Sequence, residues 1–126
     1  MLLPSEKLVF VVDDDLAMLR SVARLLRKFG YASKLFPSAA AFAKQHDFEG
    51  TLCVVLDIDL GDGSGIEQRQ RLKHENIDVP VIYVTGNDSP SARESAVRSG
   101  CLAYLTKPFP AERLMKVLQD ASANAA

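Results

Sequence analysis

At 126 residues the chain has the length of one domain, enough to bury a core without disulfide or metal staples. It is 48% apolar and 25% charged with a net charge of −1, which gives no general electrostatic reason to bind nucleic acid or an anionic membrane. No apolar run approaches the ~20 residues that span a bilayer, and the start lacks a basic region followed by a long apolar one. The two cysteines, Cys53 and Cys101, form no CxxC or Cys/His spacing, so buried free thiols in a reducing cytoplasm are expected rather than a disulfide framework.

The first apolar run, Leu8 to Val12, ends in Asp13-Asp14-Asp15. Leu16, Leu19, Val22, Ala23, Leu26 and Phe29 then recur at helical spacing. Asp14 or Asp15 can cap that helix, Arg27 and Lys28 suit its negative end, and Gly30 stops it. Tyr31 to Phe36 is short and partly alternating, as expected of a strand nearer the sheet edge. Pro37-Ser38 opens an Ala-rich helix that carries Phe42 and is expected to end near His46. In Leu52-Cys53-Val54-Val55-Leu56-Asp57-Ile58-Asp59, five apolar residues run into a carboxylate, and a Gly-rich turn from Gly61 to Gly65 follows. Such a run predicts a strand buried on both faces of a parallel sheet.

A helix is predicted from Ser64 or Gly65 to about Glu75, largely exposed, because Glu67, Gln68, Arg69, Gln70 and Arg71 crowd between Ile66 and Leu72. Val79 to Val84 is the next strand and ends in Thr85-Gly86. Ser89-Pro90 is a cap followed by proline at the first helical position, so a helix runs to Ser99 and Gly100 closes it. Cys101 to Thr106 is the last strand, followed by Lys107-Pro108-Phe109 and a helix from Pro110 that carries Leu114, Val117, Leu118 and Ala121.

Five strands alternating with five helices predict a parallel sheet covered on both faces, with right-handed crossovers. The flavodoxin-like order 2-1-3-4-5 leads for five strands, and ligands bind such sheets beyond the carboxyl ends of the strands. Four strand ends then carry chemistry: Asp13-Asp14, Asp57, Thr85 and Lys107. Singly, these are a helix cap, a strand end, a turn and a surface lysine; together they gather carboxylates that repel, which a divalent cation relieves. Oxygen ligands with retained waters suit Mg2+. A carboxylate beside a metal, a hydroxyl and an ammonium is equipped for phosphoryl transfer, with the aspartate as nucleophile. No Walker A or GxGxxG loop is present, so a nucleotide is not the obvious donor.

Val12-Asp13-Asp14, Leu56-Asp57-Ile58-Asp59, Val84-Thr85-Gly86 and Thr106-Lys107-Pro108-Phe109 together resemble the receiver domain of bacterial two-component response regulators. The run Pro80 to Gly86 and the ending Leu105 to Phe109 are most similar to the FixJ-type subgroup. The resemblance implies a receiver domain over residues 7–120 after a lead of residues 1–6, and the tail of residues 121–126, which has no apolar anchor, is expected to fray. The resemblance also implies that Asp57 is the phosphoacceptor, charged by a sensor histidine kinase or phosphotransfer protein. Asp14 and Asp57 would bind Mg2+ directly, with the Asp59 backbone carbonyl, and Asp13 through water. Lys107, on a cis bond to Pro108, and Thr85 would contact the phosphoryl group, and Tyr104 would turn inward behind Thr85. The face made by the fourth helix, fifth strand and fifth helix would then switch to meet a homodimer partner or an output domain. Self-phosphorylation and autodephosphorylation would be its only reactions.

Three features depart from the family pattern. Gly61 stands where proline is usual, so the loop after Asp57 is expected to be looser. Asp59 and Asn87 occupy positions where the family varies its dephosphorylation rate. No helix-turn-helix or basic patch is present, so no nucleic-acid binding is expected of this chain. Two alternatives stand beside the receiver. Asp57-Ile58-Asp59 is also the DxD of a haloacid-dehalogenase-like phosphatase, which would leave Asp13-Asp14 unexplained. A degenerate receiver would bind partners without phosphorylation, but normally lacks a site residue. An EF-hand fails, because Asp62 stands where its loop needs glycine and Gln68 where it needs glutamate.

Overall fold

In the computed structural model, which describes residues 7–124, strand and helix alternate throughout. The elements are β1 (Lys7–Val12), α1 (Leu16–Lys28), β2 (Tyr31–Phe36), α2 (Ala39–Ala43), β3 (Thr51–Asp57), α3 (Gly65–His74), β4 (Val81–Thr85), α4 (Pro90–Ser99), β5 (Ala103–Thr106) and α5 (Ala111–Asn124). All strand pairs are parallel and the sheet order is β2-β1-β3-β4-β5, as predicted. Val12 pairs with Leu56, Asp57 with Val84, and Thr85 with Thr106, so the residues that end β1, β3, β4 and β5 emerge along one edge. Among the described residues no helix is long and apolar enough to cross a membrane.

Strand alternation divides the core into two layers. Val9, Val11, Cys53, Val55, Ile82 and Val84 pack with Leu19, Val22 and Leu26 of α1 and Leu114, Met115 and Leu118 of α5. Phe10, Val12, Val54, Leu56 and Tyr83 pack on the opposite face with Phe42, Leu72 and Ala96. Burial pushes the Cys53 thiol up to about 12, so this cysteine is a core residue rather than a nucleophile. The buried Tyr83 hydroxyl is satisfied by Ser99 Oγ at 2.7 Å, which itself donates to the Ala96 carbonyl at 2.8 Å.

The helix starts follow their caps. Asp15, Ser38, Ser64 and Ser89 each accept a first-turn N–H of the helix they precede. Asp15 therefore takes the capping role at α1 and leaves Asp13 and Asp14 for other contacts.

Three helices differ from their sequence-based outlines. Helix α2 ends at Ala43, short of His46, where the Arg71 guanidinium takes the Phe42 carbonyl at 3.0 Å and the Gln45 carbonyl at 3.1 Å. Helix α3 is less exposed than its charge suggested. Arg71 lies 5.2 Å from the Phe42 ring centroid, and Arg69 donates to the Gly100 and Val79 carbonyls at 3.2 and 3.3 Å. Arginine stems bury while their heads cap carbonyls, which residue-type counting does not register. Helix α5 continues to Asn124, so four residues expected to fray are helical, and Ala121 packs against the core. Residues 1–6 and 125–126 lie outside the described residues.

Gly65 starts α3 with its N–H on the Ile58 carbonyl at 2.9 Å, and a Cβ there would collide with the Asp57 carbonyl oxygen. Gly65→Ala is expected to lower stability by about 1–3 kcal/mol. Gly86→Ala, whose Cβ would meet nothing within 4 Å, is expected to stay within about 0.5 kcal/mol. Urea unfolding of both variants checks this.

Candidate functional site

The edge where the strands end holds a polar cluster set into an apolar base. Asp57 closes β3 and is 4% exposed, Asp13 follows β1 and is 1% exposed, and Thr85 closes β4 and is fully buried. Lys107, one residue past β5, is positioned by its own N–H, which donates to the Thr85 carbonyl at 2.8 Å. Its ammonium donates to Asp13 Oδ2 and Asp57 Oδ2, both at 2.8 Å. The Lys107–Pro108 bond is cis. The second oxygen of each aspartate is held by backbone: Asp13 Oδ1 accepts the Asp15 N–H and Asp57 Oδ1 the Asp59 N–H, each at 2.9 Å.

Burial pushes the Asp57 carboxyl above the usual carboxylate range. The bonds from Lys107 and the Asp59 N–H pull it down, and the Asp13 charge adds to the rise. Burial would draw the Lys107 ammonium down, but its bonds to Asp13 and Asp57 outweigh this and hold it above the ordinary lysine value. Asp14 is exposed, yet Asp13, Asp14 and Asp57 each offer a carboxylate oxygen within 4.8 Å of one another. Three carboxylates against one ammonium leave net negative charge, and their hard oxygens fit a hard divalent cation. The donor set therefore suits the group implied by the sequence.

The remaining predicted residues lie around this cluster. The Thr85 hydroxyl donates to Asp59 Oδ2 at 3.5 Å and accepts the Asn87 N–H at 3.0 Å. Tyr104 is half-buried, its hydroxyl donating to Asp88 Oδ1 at 2.9 Å and its ring 4.6 Å from the Arg93 guanidinium. Arg93 bonds the other Asp88 oxygen at 2.9 Å, and these two donors hold the Asp88 carboxyl below the usual range. Sequence reasoning missed Asp88 and Arg93 because their common partner is on β5. The loop after Asp57 is not loose. Leu60 N–H donates to the Gly63 carbonyl at 3.1 Å, Asp62 N–H to the Leu60 carbonyl at 2.7 Å, and Gly61 sits at φ 74°, which proline cannot adopt.

Residues 9–119 match the family described as response regulator receiver domain. The chain is 32% identical over 118 residues to Nodulation protein W of Bradyrhizobium diazoefficiens, covering 94% of this chain and 52% of that protein. It is 32% identical over 113 residues to the transcriptional regulatory protein FixJ of the same organism, covering 90% and 55%. The chain thus spans about half the length of these curated relatives. A response regulator receiver protein from Pseudoalteromonas atlantica superposes with a TM-score of 0.88 at 21% identity, over 94% of this chain and 99% of that one. A response regulator protein from Burkholderia pseudomallei, solved with a phosphorylated aspartic acid, calcium ion and citrate, gives 0.80 at 28% identity, over 94% and 71%.

Removing Lys107 leaves two buried carboxylates facing each other. Lys107→Met is expected to lose about 3 kcal/mol near pH 8 in metal-free buffer, the low end for an uncompensated buried charge. The sign with pH follows from Asp57: its pKa is raised by burial and the Asp13 charge and lowered by Lys107, so losing Lys107 raises it further and the folded variant binds that proton more tightly than the parent does. Ionising Asp57 therefore costs stability as pH rises through that value, and the variant's deficit should shrink toward about pH 4. Unfolding curves at several pH values check this; a deficit that stays constant would mean that the two carboxylates are not its source.

Proposed function

Because the chain belongs to the response regulator receiver domain family, we propose that it accepts a phosphoryl group on Asp57 from a phosphohistidine of a sensor histidine kinase or phosphotransfer protein. One observation carries the reading: a single ammonium reaches a buried strand-end aspartate and its buried neighbour, each at 2.8 Å, on a fold whose other strand ends supply the hydroxyl and further carboxylates.

An Asp57 carboxylate oxygen attacks phosphorus, the P–N bond of the donor breaks, and its electron pair returns to the imidazole, leaving an acyl phosphate. Lys107 exchanges its bond to Asp57 for one to a phosphoryl oxygen and keeps Asp13. The Thr85 hydroxyl leaves its long contact with Asp59 and donates to a second phosphoryl oxygen. Mg2+ held by Asp14, Asp57 and the Asp59 carbonyl, with Asp13 through water, would neutralise charge on the phosphoryl oxygens. Movement of Thr85 frees Tyr104 to turn inward and alters the face of α4, β5 and α5, where a second copy or an output domain would dock. The receiver unit expected at residues 7–120 is supported by the match over residues 9–119, and α5 carries it on to Asn124. Self-phosphorylation and autodephosphorylation are its own reactions.

Incubation with acetyl phosphate and Mg2+ should add one phosphoryl mass by intact-protein mass spectrometry, and Asp57→Asn should abolish it; label retained in that variant would move the acceptor elsewhere. Mg2+ at a hundredfold excess over its dissociation constant should stabilise the protein by roughly 2–3 kcal/mol. A degenerate receiver would show neither effect, and a phosphatase would turn over a phosphomonoester repeatedly.

A further inference from the structure

The loop between β3 and α3 is fastened to a helix it does not adjoin in sequence. Asp62 reaches the start of α2, where one carboxylate oxygen accepts the Ala39 N–H at 2.9 Å and the other the Ala40 N–H at 3.0 Å. Ser38 Oγ takes the Ala41 N–H at 3.0 Å, so the first-turn donors of α2 are divided between its own cap and a carboxylate from another loop. Gly63 lies against the same turn, where a Cβ would sit 3.1 Å from the Ala39 methyl. The Asp62–Leu60 and Leu60–Gly63 backbone bonds close the loop on itself, so the Asp62 tether acts on it as a unit.

The other side of that unit faces the carboxylate cluster. Gly61 lies against Asp14, where a Cβ would stand 3.0 Å from Asp14 Oδ2. Asp59 donates its N–H to Asp57 at 2.9 Å and takes the Thr85 hydroxyl on its side chain. The loop that Asp62 anchors therefore meets Asp14, Asp57 and Thr85 at once.

We propose that Asp62 is a positioning residue for the cation site: by anchoring the β3–α3 loop on the start of α2, it holds Gly61 against the Asp14 carboxylate and sets Asp59 beside Asp57. The inference rests on the reading of Asp14, Asp57 and Asp59 as the cation's ligands. Without the anchor, the entropy of ordering the loop falls on the binding step and affinity drops by that amount.

The test compares the parent with Asp62→Ala, Asp62→Asn and Ser38→Ala. Isothermal titration with Mg2+ alone gives affinity, and amide exchange of Ala39, Ala40, Leu60 and residue 62 in metal-free buffer reports the tether itself. Asp62→Ala should weaken Mg2+ about tenfold, in the range seen for groups that orient metal ligands, and should speed exchange at all four amides. Asp62→Asn should recover part of both effects, since its amide oxygen can still accept one N–H. Ser38→Ala loses a cap on the same helix and should leave Mg2+ affinity within about twofold. Parent-like affinity in Asp62→Ala, or equal weakening in Ser38→Ala, would overturn the proposal. A parent that binds no Mg2+ would sink the cation reading itself, and with it this role; the parent titration separates that result from the other two.

Discussion

One ammonium shared by two buried carboxylates is the constraint on which the site end of this protein depends. Adjacent strands lie about 4.8 Å apart, so Asp13 just after β1 and Asp57 at the end of β3 are neighbours, whereas Lys107 follows an edge strand two positions beyond β3. Only a long side chain launched from the right turn can close that gap, and the Lys107 N–H bond to the Thr85 carbonyl fixes the launching point. Once the ammonium is seated, the two aspartates can remain buried beside each other, and the backbone donors of Asp15 and Asp59 complete their bonding. The arrangement is satisfied but still net negative, which is the electrostatic condition for recruiting a cation.

The two faces of the sheet are closed by different means. Toward α1 and α5 the contacts are aliphatic and depend on volume. Toward α2, α3 and α4, apolar packing is supplemented by directional contacts. Arg69 and Arg71 take carbonyls from neighbouring elements, Tyr83 meets Ser99, and Asp62 takes the first amides of α2. Apolar packing tolerates small shifts poorly but needs no fixed partner atom, whereas each polar contact names one. The second face also carries Asp88, Arg93 and Tyr104, so the geometry around the site is specified atom by atom on that side.

Much of this was legible in the residues. The strand period, the helix starts at Asp14 or Asp15, Ser38, Ser64 or Gly65 and Ser89, and the alternation of strand with helix are local signals, and the fold follows from them. The aspartates, threonine and lysine could be gathered because a parallel sheet brings all its strand ends to one edge. The misreadings share a cause. The length of α2, the burial of α3, the firmness of the Gly61 loop and the partners of Tyr104 depend on long side chains or carboxylates whose partners lie elsewhere in sequence. Helix α5 running past Ala121 has the same origin, since packing of that residue against the core carries the helix beyond its apolar stripe.

The sequence by itself determined the elements, their order in the sheet and which residue types stand at the strand ends, because periodicity, caps and crossover handedness act over a few residues or by general rule. Tertiary structure decided which oxygen meets which donor: that Lys107 serves Asp13 and Asp57 together, and that Asp62 belongs to α2. Those pairings are set by distances of a few ångströms between segments far apart in the chain, and no local spacing encodes them.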